Sequence, residues 1–228
     1  MSSTEPESSA LPALASGWVV LVPVKPPEHA KSRLVGVLDA DRTALAEAFA
    51  LDTVAAAVAA REVRAVLVVT DDARLAARVR DLGADAVPDG STHGLNDTLR
   101  QAAAEARRRH PDALLAALCG DLPALRSADL DLALGRLAAL LAAAPAAIVP
   151  DADGTGTCLY AAAAATFAPR FGGASRAAHA DIGAVEPDLA GLDALRRDVD
   201  DLLALRAALA HGVGPATRAV AARLGLVG

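Results

Sequence analysis

Along most of the chain, short apolar segments rich in β-branched residues alternate with longer segments of helical periodicity. Residues 17–24 (GWVVLVPV) form an uninterrupted apolar run, which is typical of a parallel strand covered on both faces. Further strands are predicted at 64–69, 84–88, 114–118, 146–149 and 157–162. Helices are predicted between them at 39–61, at 95–109, at 127–143 and in a short segment ending at 82. Because parallel strands need crossover connections, this alternation predicts an α/β fold with a mostly parallel sheet covered on both faces.

The pattern weakens after Phe171. We expect helices at 175–181, 200–210 and 215–224, and a short strand near Val185 or Leu195. No internal repeat and no linker divides the chain, so residues 17–228 are predicted to form a single domain. Residues 1–16 are acidic and polar without a basic segment, which argues against a signal peptide and predicts a frayed tail.

Several acidic and hydroxyl residues stand where helices are predicted to begin. Asp39 or Asp41 is placed to cap the helix of 39–61, and Ser127 is placed to cap that of 127–143. The Thr70-Asp71-Asp72 segment, directly after the strand of 64–69, is placed to cap the short helix that follows.

Composition excludes two classes of function. The 228 residues carry a net charge of −6, whereas a nucleic-acid surface needs clustered cations, so no nucleic-acid partner is expected. The apolar runs are far shorter than the roughly 18 residues of a membrane span. Cys119 and Cys158 have no metal-binding spacing and fit reduced thiols. We therefore expect a soluble cytoplasmic protein whose core is built from Ala, Val and Leu, since aromatic residues make up only 2%.

A basic loop follows the first strand. Lys25, Lys31 and Arg33 fall within nine residues, at the carboxyl end of that strand, where ligands bind in open α/β sheets. Several cations in such a place are suited to a triphosphate. The GxxxxGK[ST] spacing of a P-loop is missing, and an ordinary solvated basic loop is the alternative interpretation.

Acidic residues follow two later segments. Asp121 stands three residues past the strand of 114–118, beside a glycine, and is placed to bind Mg²⁺. Asp198 and Asp200 point the same way if their segment is extended, so both carboxylates can reach one metal ion. A turn role for Asp121, and a capping role for Asp200 at the helix that begins near Asp201, are the alternatives.

Glycine-rich turns with hydroxyl residues offer donors to an anion. The Asp-Gly-Thr-Gly-Thr segment of 153–157 and the Phe-Gly-Gly-Ala-Ser segment of 171–175 are of this kind. A hairpin turn for the first, and a plain N-cap at Ser175 for the second, remain open. Asn96, after Gly94, is placed either to read a nucleoside or to cap the helix of 95–109.

The order of these motifs resembles one family. A Pro-Val-Lys-Pro and Lys-Ser-Arg-Leu loop, then Gly-Leu-Asn, Gly-Asp-Leu-Pro, Asp-Gly-Thr-Gly-Thr, Phe-Gly-x-x-Ser and Asp-Val-Asp are similar to the phosphoenolpyruvate/2-phospho-L-lactate guanylyltransferases of coenzyme F-420 biosynthesis, over about residues 18–204. This sequence departs from the family at Gly173, where Pro is frequent, and after Asp200, where Asp-Leu-Leu replaces the usual Thr-x-x-Asp-Leu.

The resemblance implies a three-layer α/β/α, Rossmann-like nucleotidyltransferase fold and a transfer of GMP from GTP to phosphoenolpyruvate. It implies that Asp121, Asp198 and Asp200 hold Mg²⁺. It further implies that the acid binds at Thr157, Gly172 and Ser175, that the nucleoside lies near Gly94 and Asn96, and that the triphosphate faces Lys25, Lys31 and Arg33. Transfer to 2-phospho-L-lactate, and a non-catalytic nucleotide-binding regulator on the same fold, are the alternative functions.

Overall fold

A computed structural model describes residues 17–24, 38–90 and 93–226 of the chain. The strands are β1 (Trp18–Pro23), β2 (Val63–Val69), β3 (Asp85–Val87), β4 (Leu114–Leu118), β5 (Ala146–Pro150), β6 (Thr157–Ala163) and β7 (Ala184–Val185). The helices are α1 (Asp39–Val58), α2 (Ala73–Asp81), α3 (Leu95–Arg109), α4 (Ser127–Leu140), α5 (Ser175–Ala180), α6 (Leu202–His211) and α7 (Pro215–Arg223). The predicted tail at 1–16 and the basic loop with Lys25, Lys31 and Arg33 lie outside the described residues.

The strands form one mixed sheet in the order β3-β2-β1-β4-β6-β5-β7. β1 pairs in parallel with β2 and β4, β2 with β3, and β5 with β7, whereas β6 runs antiparallel to β4 and β5. The predicted mostly parallel sheet is therefore confirmed, with β6 as its reversed strand. Because β6 is reversed, its first residue, Thr157, lies at the edge where β1, β4 and β5 end.

Helices cover both faces of the sheet. On one face, residues of α1, α2 and α4 form a common core with alternate residues of the strands, such as Val20 and Val22. On the other face, α3 packs on the remaining residues, such as Val19, Leu21 and Tyr160. Side chains of successive strand residues point to opposite faces, so a continuous apolar strand supplies both cores. The result is the predicted three-layer α/β/α arrangement.

A third apolar cluster lies beyond the sheet edge. Leu45 and Phe49 of α1 pack there against Leu205 of α6 and Val213, together with Val199 from the segment before α6. This cluster fixes the C-terminal part of the chain to α1.

Two of the predicted caps are wrong, and one is confirmed. Asp72 accepts hydrogen bonds from the main-chain nitrogens of Arg74 and Leu75 and caps α2. Leu38 and Arg126 occupy the N-cap positions of α1 and α4 without side-chain hydrogen bonds, so Asp39, Asp41 and Ser127 do not cap. The two aspartates lie instead in the first turn of α1, where their charge favours the positive end of the helix dipole.

Some predicted boundaries shift. α1 ends at Val58 rather than at residue 61, and α4 ends at Leu140 rather than at residue 143. The short late strand is β7, at Val185, and Leu195 lies in no strand. Within the described ranges, none of the helices combines the length and the hydropathy needed to cross a membrane.

Candidate active site

Three carboxylates from two distant parts of the sequence converge at the carboxyl edge of the sheet. Asp121 follows β4, and Asp198 and Asp200 lie in the segment before α6, which has no regular secondary structure. One oxygen of each carboxylate lies within 4.8 Å of the others. Asp121 and Asp198 are half-buried, while Asp200 is exposed. A site of this kind has one enclosed side and one side open to a ligand.

Main-chain hydrogen bonds hold this cluster together. The main-chain nitrogen of Val199 donates to the main-chain oxygen of Asp121 at 3.1 Å. The Val199 side chain is fully buried in the cluster beside α1 and α6. Val199 is thus buried towards α1 and α6, while the carboxylates of its two neighbours, Asp198 and Asp200, lie near that of Asp121.

A buried threonine of α1 fixes the other side of the cluster. The Thr53 hydroxyl accepts a hydrogen bond from the Leu122 nitrogen at 3.0 Å and donates to the Phe49 oxygen at 2.8 Å. The main-chain nitrogen that follows Asp121 is thereby satisfied in the interior, where an unpaired N–H is costly. α1 thus determines where the loop after β4 can lie.

Arg196 holds the segment of Asp198 against the end of β5. Its Nε and Nη2 donate to the main-chain oxygens of Pro150 and Asp151 at 3.1 and 2.8 Å. In return, the Ala152 nitrogen donates to the Arg196 oxygen at 2.7 Å. These three bonds explain how a segment without strand partners keeps a defined position.

The electrostatics of the cluster favour a bound cation. Burial, then the neighbouring Asp121 and Asp200 carboxylates, raise the pKa of Asp198 to about 7. A divalent cation relieves such repulsion between like charges, and Mg²⁺ prefers carboxylate oxygens together with substrate phosphates. The donor set therefore fits this ion. The capping alternative for Asp200 is wrong, because Asp201 caps α6 through the Ala204 nitrogen at 2.8 Å.

Two thiols lie beside the carboxylates. Cys119 and Cys158 face each other across β4 and β6, and the Cys119 nitrogen donates to the Cys158 oxygen at 2.9 Å. The Cys158 thiol lies 4.0 Å from an Asp198 oxygen. A hydrogen bond with the Cys119 thiol and burial raise the pKa of Cys158 well above its usual value. Cys158 therefore lines the site as a neutral group.

The turn before β6 is shaped by a carboxylate that sequence reasoning missed. Asp151 accepts from the main-chain nitrogens of Thr155 and Gly156 at 2.9 and 2.7 Å. A Cβ atom at Gly156 would overlap the same carboxylate. Asp151 thus closes the glycine-rich turn and places Thr157 at the first position of β6.

The side chain of Thr157 meets a buried histidine. Its hydroxyl lies 3.0 Å from Nδ1 of His179, whose Nε2 accepts from the Arg170 nitrogen at 2.8 Å. Burial lowers the pKa of His179 to about 4, against a smaller opposing effect of a hydrogen bond with the Ser175 main chain. The imidazole therefore stays neutral near pH 7.

The loop of residues 170–175 is also held by Asn96. The Asn96 side chain donates to the Phe171 oxygen at 2.9 Å and accepts from the Phe171 nitrogen at 2.8 Å. Gly94, at a φ of 102°, occupies the N-cap position of α3, so the capping interpretation of Asn96 is wrong. Binding of a nucleoside by Gly94 and Asn96 stays a prediction.

Gly172 and Ser175 lie at the start of α5. The Ser175 nitrogen donates to the Gly172 oxygen at 3.2 Å, and the Ser175 side chain is buried. Ala174 is the N-cap residue, so Ser175 does not act as a plain N-cap. The sequence had indicated this loop through its glycines, but Asn96 and His179, which anchor it, carried no local signal of that role.

Similarity to known proteins extends over nearly the whole chain. The family described as "Guanylyl transferase CofC like" matches residues 18–224. A protein of Streptomyces scabiei named phosphoenolpyruvate guanylyltransferase is 52% identical, and the match covers 91% of this chain and 97% of that protein. A protein of the same name from Thermomonospora curvata is 49% identical, with coverage of 91% and 90%.

Solved structures of more distant proteins share the fold. A protein of Desulfovibrio desulfuricans G20, described as a nucleotide-diphospho-sugar transferase, aligns with a TM-score of 0.59 at 18% identity and covers 83% of this chain and 84% of its own. A cytidylyltransferase from Leptospira borgpetersenii aligns with a TM-score of 0.52 at 14% identity and covers 81% of both chains. At this level of identity, the likeness concerns the Rossmann-like fold.

Proposed function

Since the chain belongs to the CofC-like guanylyl transferase family, we propose that it transfers GMP from GTP to phosphoenolpyruvate, with release of pyrophosphate, in the biosynthesis of coenzyme F-420. The observation that carries this proposal is the match to two proteins named phosphoenolpyruvate guanylyltransferase at 52% and 49% identity over 91% of the chain. The convergence of Asp121, Asp198 and Asp200 at the carboxyl edge of the sheet supports it.

The reaction needs no general base from the protein. A phosphate monoester has a second pKa near 6, so one of its oxygens is already anionic at pH 7. That oxygen attacks the α-phosphorus of GTP, the bond to the β-phosphate breaks, and pyrophosphate leaves. The catalytic difficulty is charge, because two unit charges about 4 Å apart repel by roughly 4 kcal/mol at an effective dielectric of 20.

A cation bound by the carboxylate cluster would reduce this repulsion. Asp121, Asp198 and Asp200 would hold Mg²⁺, and the ion supplies positive charge for the phosphate groups of both substrates. The role of the protein is then to hold the three carboxylates in place. It does so through the hydrogen bonds of Thr53, Val199 and Arg196. Lys25, Lys31 and Arg33 would add further positive charge at the triphosphate.

Neutral donors would bind the acid. Hydroxyl and main-chain groups are offered at one end of β6 by Thr157, Gly172 and Ser175. The main-chain oxygen of Thr157 accepts a hydrogen bond from the Cys119 thiol at 3.3 Å. The acid site therefore adjoins the carboxylate cluster through Cys119 and Cys158. Gly94 and Asn96 would lie near the nucleoside, and Asn96 also contacts the 170–175 loop through the main chain of Phe171.

The experiment is an assay of pyrophosphate release by the purified full chain with Mg²⁺. GTP is combined with phosphoenolpyruvate, with 2-phospho-L-lactate or with no acceptor, and ATP and CTP serve as controls. We expect release with GTP and phosphoenolpyruvate only. Release with 2-phospho-L-lactate instead would change the acceptor, and GTP binding without release in any mixture would replace the enzyme by a nucleotide-binding regulator.

A further inference from the structure

His179 of α5 is enclosed by aromatic side chains beneath the proposed acid site. Its imidazole has no exposed surface. Tyr160 stacks on one face with ring centroids 4.7 Å apart, and Phe171 meets it edge-on at 5.3 Å. The chain has five Phe, Trp and Tyr residues in total, and two of them contact this one ring. Its orientation is therefore fixed by packing, in addition to its hydrogen bonds.

The hydrogen bonds of His179 determine its tautomer. A main-chain N–H can only donate, so the Arg170 nitrogen, 2.8 Å away, requires Nε2 to be an unprotonated acceptor. A neutral ring then carries its proton on Nδ1. That Nδ1–H faces the Thr157 hydroxyl at 3.0 Å, and it also has the Ser175 main chain as an acceptor, so towards Nδ1 the hydroxyl oxygen can only accept.

This arrangement leaves the hydroxyl hydrogen of Thr157 uncommitted to the histidine. A threonine hydroxyl has one hydrogen to donate, and its oxygen is already engaged by Nδ1–H. The hydrogen is then available to an anionic oxygen. At the same time, the bond from the Arg170 nitrogen ties the start of the 170–175 loop to the same ring.

We propose that His179 is a positioning residue for the acid acceptor, which aims the Thr157 hydroxyl hydrogen at an anionic oxygen of the acid and holds the loop that carries Gly172 and Ser175. The inference rests on the proposed function, because it assigns the acid to Thr157. His179 does not touch the substrate and acts through its two neighbours.

Two near-isosteric substitutions separate the two hydrogen bonds. In His179→Gln, the side-chain amide reaches the place of Nε2, so the acceptor for the Arg170 nitrogen is kept and the donor to Thr157 is lost. In His179→Asn, the amide reaches the place of Nδ1, so the donor to Thr157 is kept and the loop anchor is lost. Thr157→Val removes the hydroxyl itself.

The experiment is a double-mutant cycle with the assay of pyrophosphate release, in which KM for phosphoenolpyruvate, KM for GTP and kcat are measured. We expect His179→Gln and Thr157→Val each to raise KM for phosphoenolpyruvate by about tenfold, as for one lost hydrogen bond to a charged group, with KM for GTP unchanged. Because both changes remove the same aimed hydrogen, the double variant should be no worse than Thr157→Val alone.

His179→Asn should raise KM for phosphoenolpyruvate less than His179→Gln does if the hydroxyl is the main contributor. Multiplied effects in the double variant, or an equal rise in KM for GTP, would overturn the inference while leaving the proposed function intact. A wild-type protein without pyrophosphate release would instead remove the proposed function.

A second measurement does not depend on turnover and tests the role of His179 even if no pyrophosphate is released. Long-range ¹H–¹⁵N NMR of the wild-type imidazoles reports which ring nitrogen of His179 carries the proton, with His179→Gln identifying the signal. We expect the Nδ1–H form at pH 7 and a shift of this signal on addition of phosphoenolpyruvate. The Nε2–H form, or a signal that phosphoenolpyruvate leaves unchanged, would overturn the inference.

Discussion

The main-chain oxygen of Asp121 accepts a hydrogen bond from the main-chain nitrogen of Val199 at 3.1 Å, and this bond joins the two segments that carry the carboxylate cluster. Asp198 and Asp200 flank Val199 in the chain, so their distance from Asp121 depends on it. The Thr53 hydroxyl supports the same loop from α1. The Val199 bond and the Thr53 hydroxyl therefore hold together segments whose carboxylates repel one another.

Thr53→Val should disturb the cluster without touching it. The variant keeps the shape of the side chain and leaves the buried Leu122 nitrogen without its acceptor, which costs about 1–3 kcal/mol. We expect lower stability in urea and a weaker activation of pyrophosphate release by Mg²⁺. Thr53→Ser is the matched control, because it keeps the hydroxyl and loses one methyl group, worth about 1 kcal/mol. Equal Mg²⁺ activation in the two variants would contradict the prediction.

Asp198→Asn should abolish most turnover and stabilise the metal-free protein. The substitution removes a half-buried charge whose pKa is raised by burial and by Asp121 and Asp200, so repulsion in the folded state falls. At pH 8 without Mg²⁺ we expect a gain of about 1–2 kcal/mol in the free energy of unfolding. Asp112→Asn, an exposed carboxylate away from the cluster, should leave both quantities nearly unchanged. A turnover close to wild type in Asp198→Asn would refute the assignment of this ligand.

Gly156→Ala should open the turn before β6. The new methyl group would overlap the Asp151 carboxylate, which then loses its bond to the Gly156 nitrogen. We expect a loss of about 1–3 kcal/mol and a higher KM for phosphoenolpyruvate. Gly135→Ala, in an open position on α4, is the matched control and should gain about 0.5–1 kcal/mol through helix propensity. Thermal unfolding of the pair measures the contrast, and similar shifts in both would count against this account of the turn.

Asn96→Ala distinguishes two roles of one side chain. Because Asn96 pairs with both main-chain groups of Phe171, its removal should loosen the 170–175 loop and raise KM for phosphoenolpyruvate by about tenfold. Asn96→Asp keeps the acceptor for the Phe171 nitrogen but places an acceptor against the Phe171 oxygen, so it should not restore the loop. A rise in KM for GTP would reveal the predicted nucleoside contact, whereas an unchanged KM for the acid would exclude the loop role.

The stability of the fold should depend on pH through His179. Its pKa in the folded protein is about 4, below the ordinary value of 6.5, because burial disfavours the charged ring. Protonation at Nε2 would also remove the acceptor of the Arg170 nitrogen. The stabilisation by the neutral ring is therefore complete above pH 6.5 and is lost as the pH falls from 6.5 towards 4.

The size of this effect follows from linkage. A difference of about 2.5 pKa units corresponds to a loss of roughly 3 kcal/mol at the acid end. Urea unfolding at a series of pH values checks it, with His179→Gln as the variant that lacks the titrating group. Parallel pH profiles of the two proteins between 6.5 and 4 would be the contrary result.

Local pattern was sufficient to locate most of the strands and helices and to predict a mostly parallel sheet. The strand of 114–118 and the helix of 95–109 were predicted at the residues where β4 and α3 lie, because uninterrupted apolar runs and helical periodicity reflect burial directly. The alternation of the two also predicted layers and crossovers. The resemblance of ordered motifs then indicated the carboxylates, which the structure brings within 4.8 Å of one another.

The anchors of the site depended on the tertiary structure. Thr53, Asn96 and His179 each bond to a residue in another part of the chain, and their neighbours in sequence carry no sign of that partner. The reversal of β6, which brings Thr157 to the carboxyl edge, was likewise outside the reach of a periodicity that is the same in both strand directions. The sequence by itself determined which segments are buried, because apolar runs and periodicity follow burial directly. Its motifs also determined which residues could do the chemistry. Only the fold decided which of these side chains meet, because hydrogen bonds between distant residues form only where packing brings a donor and an acceptor together.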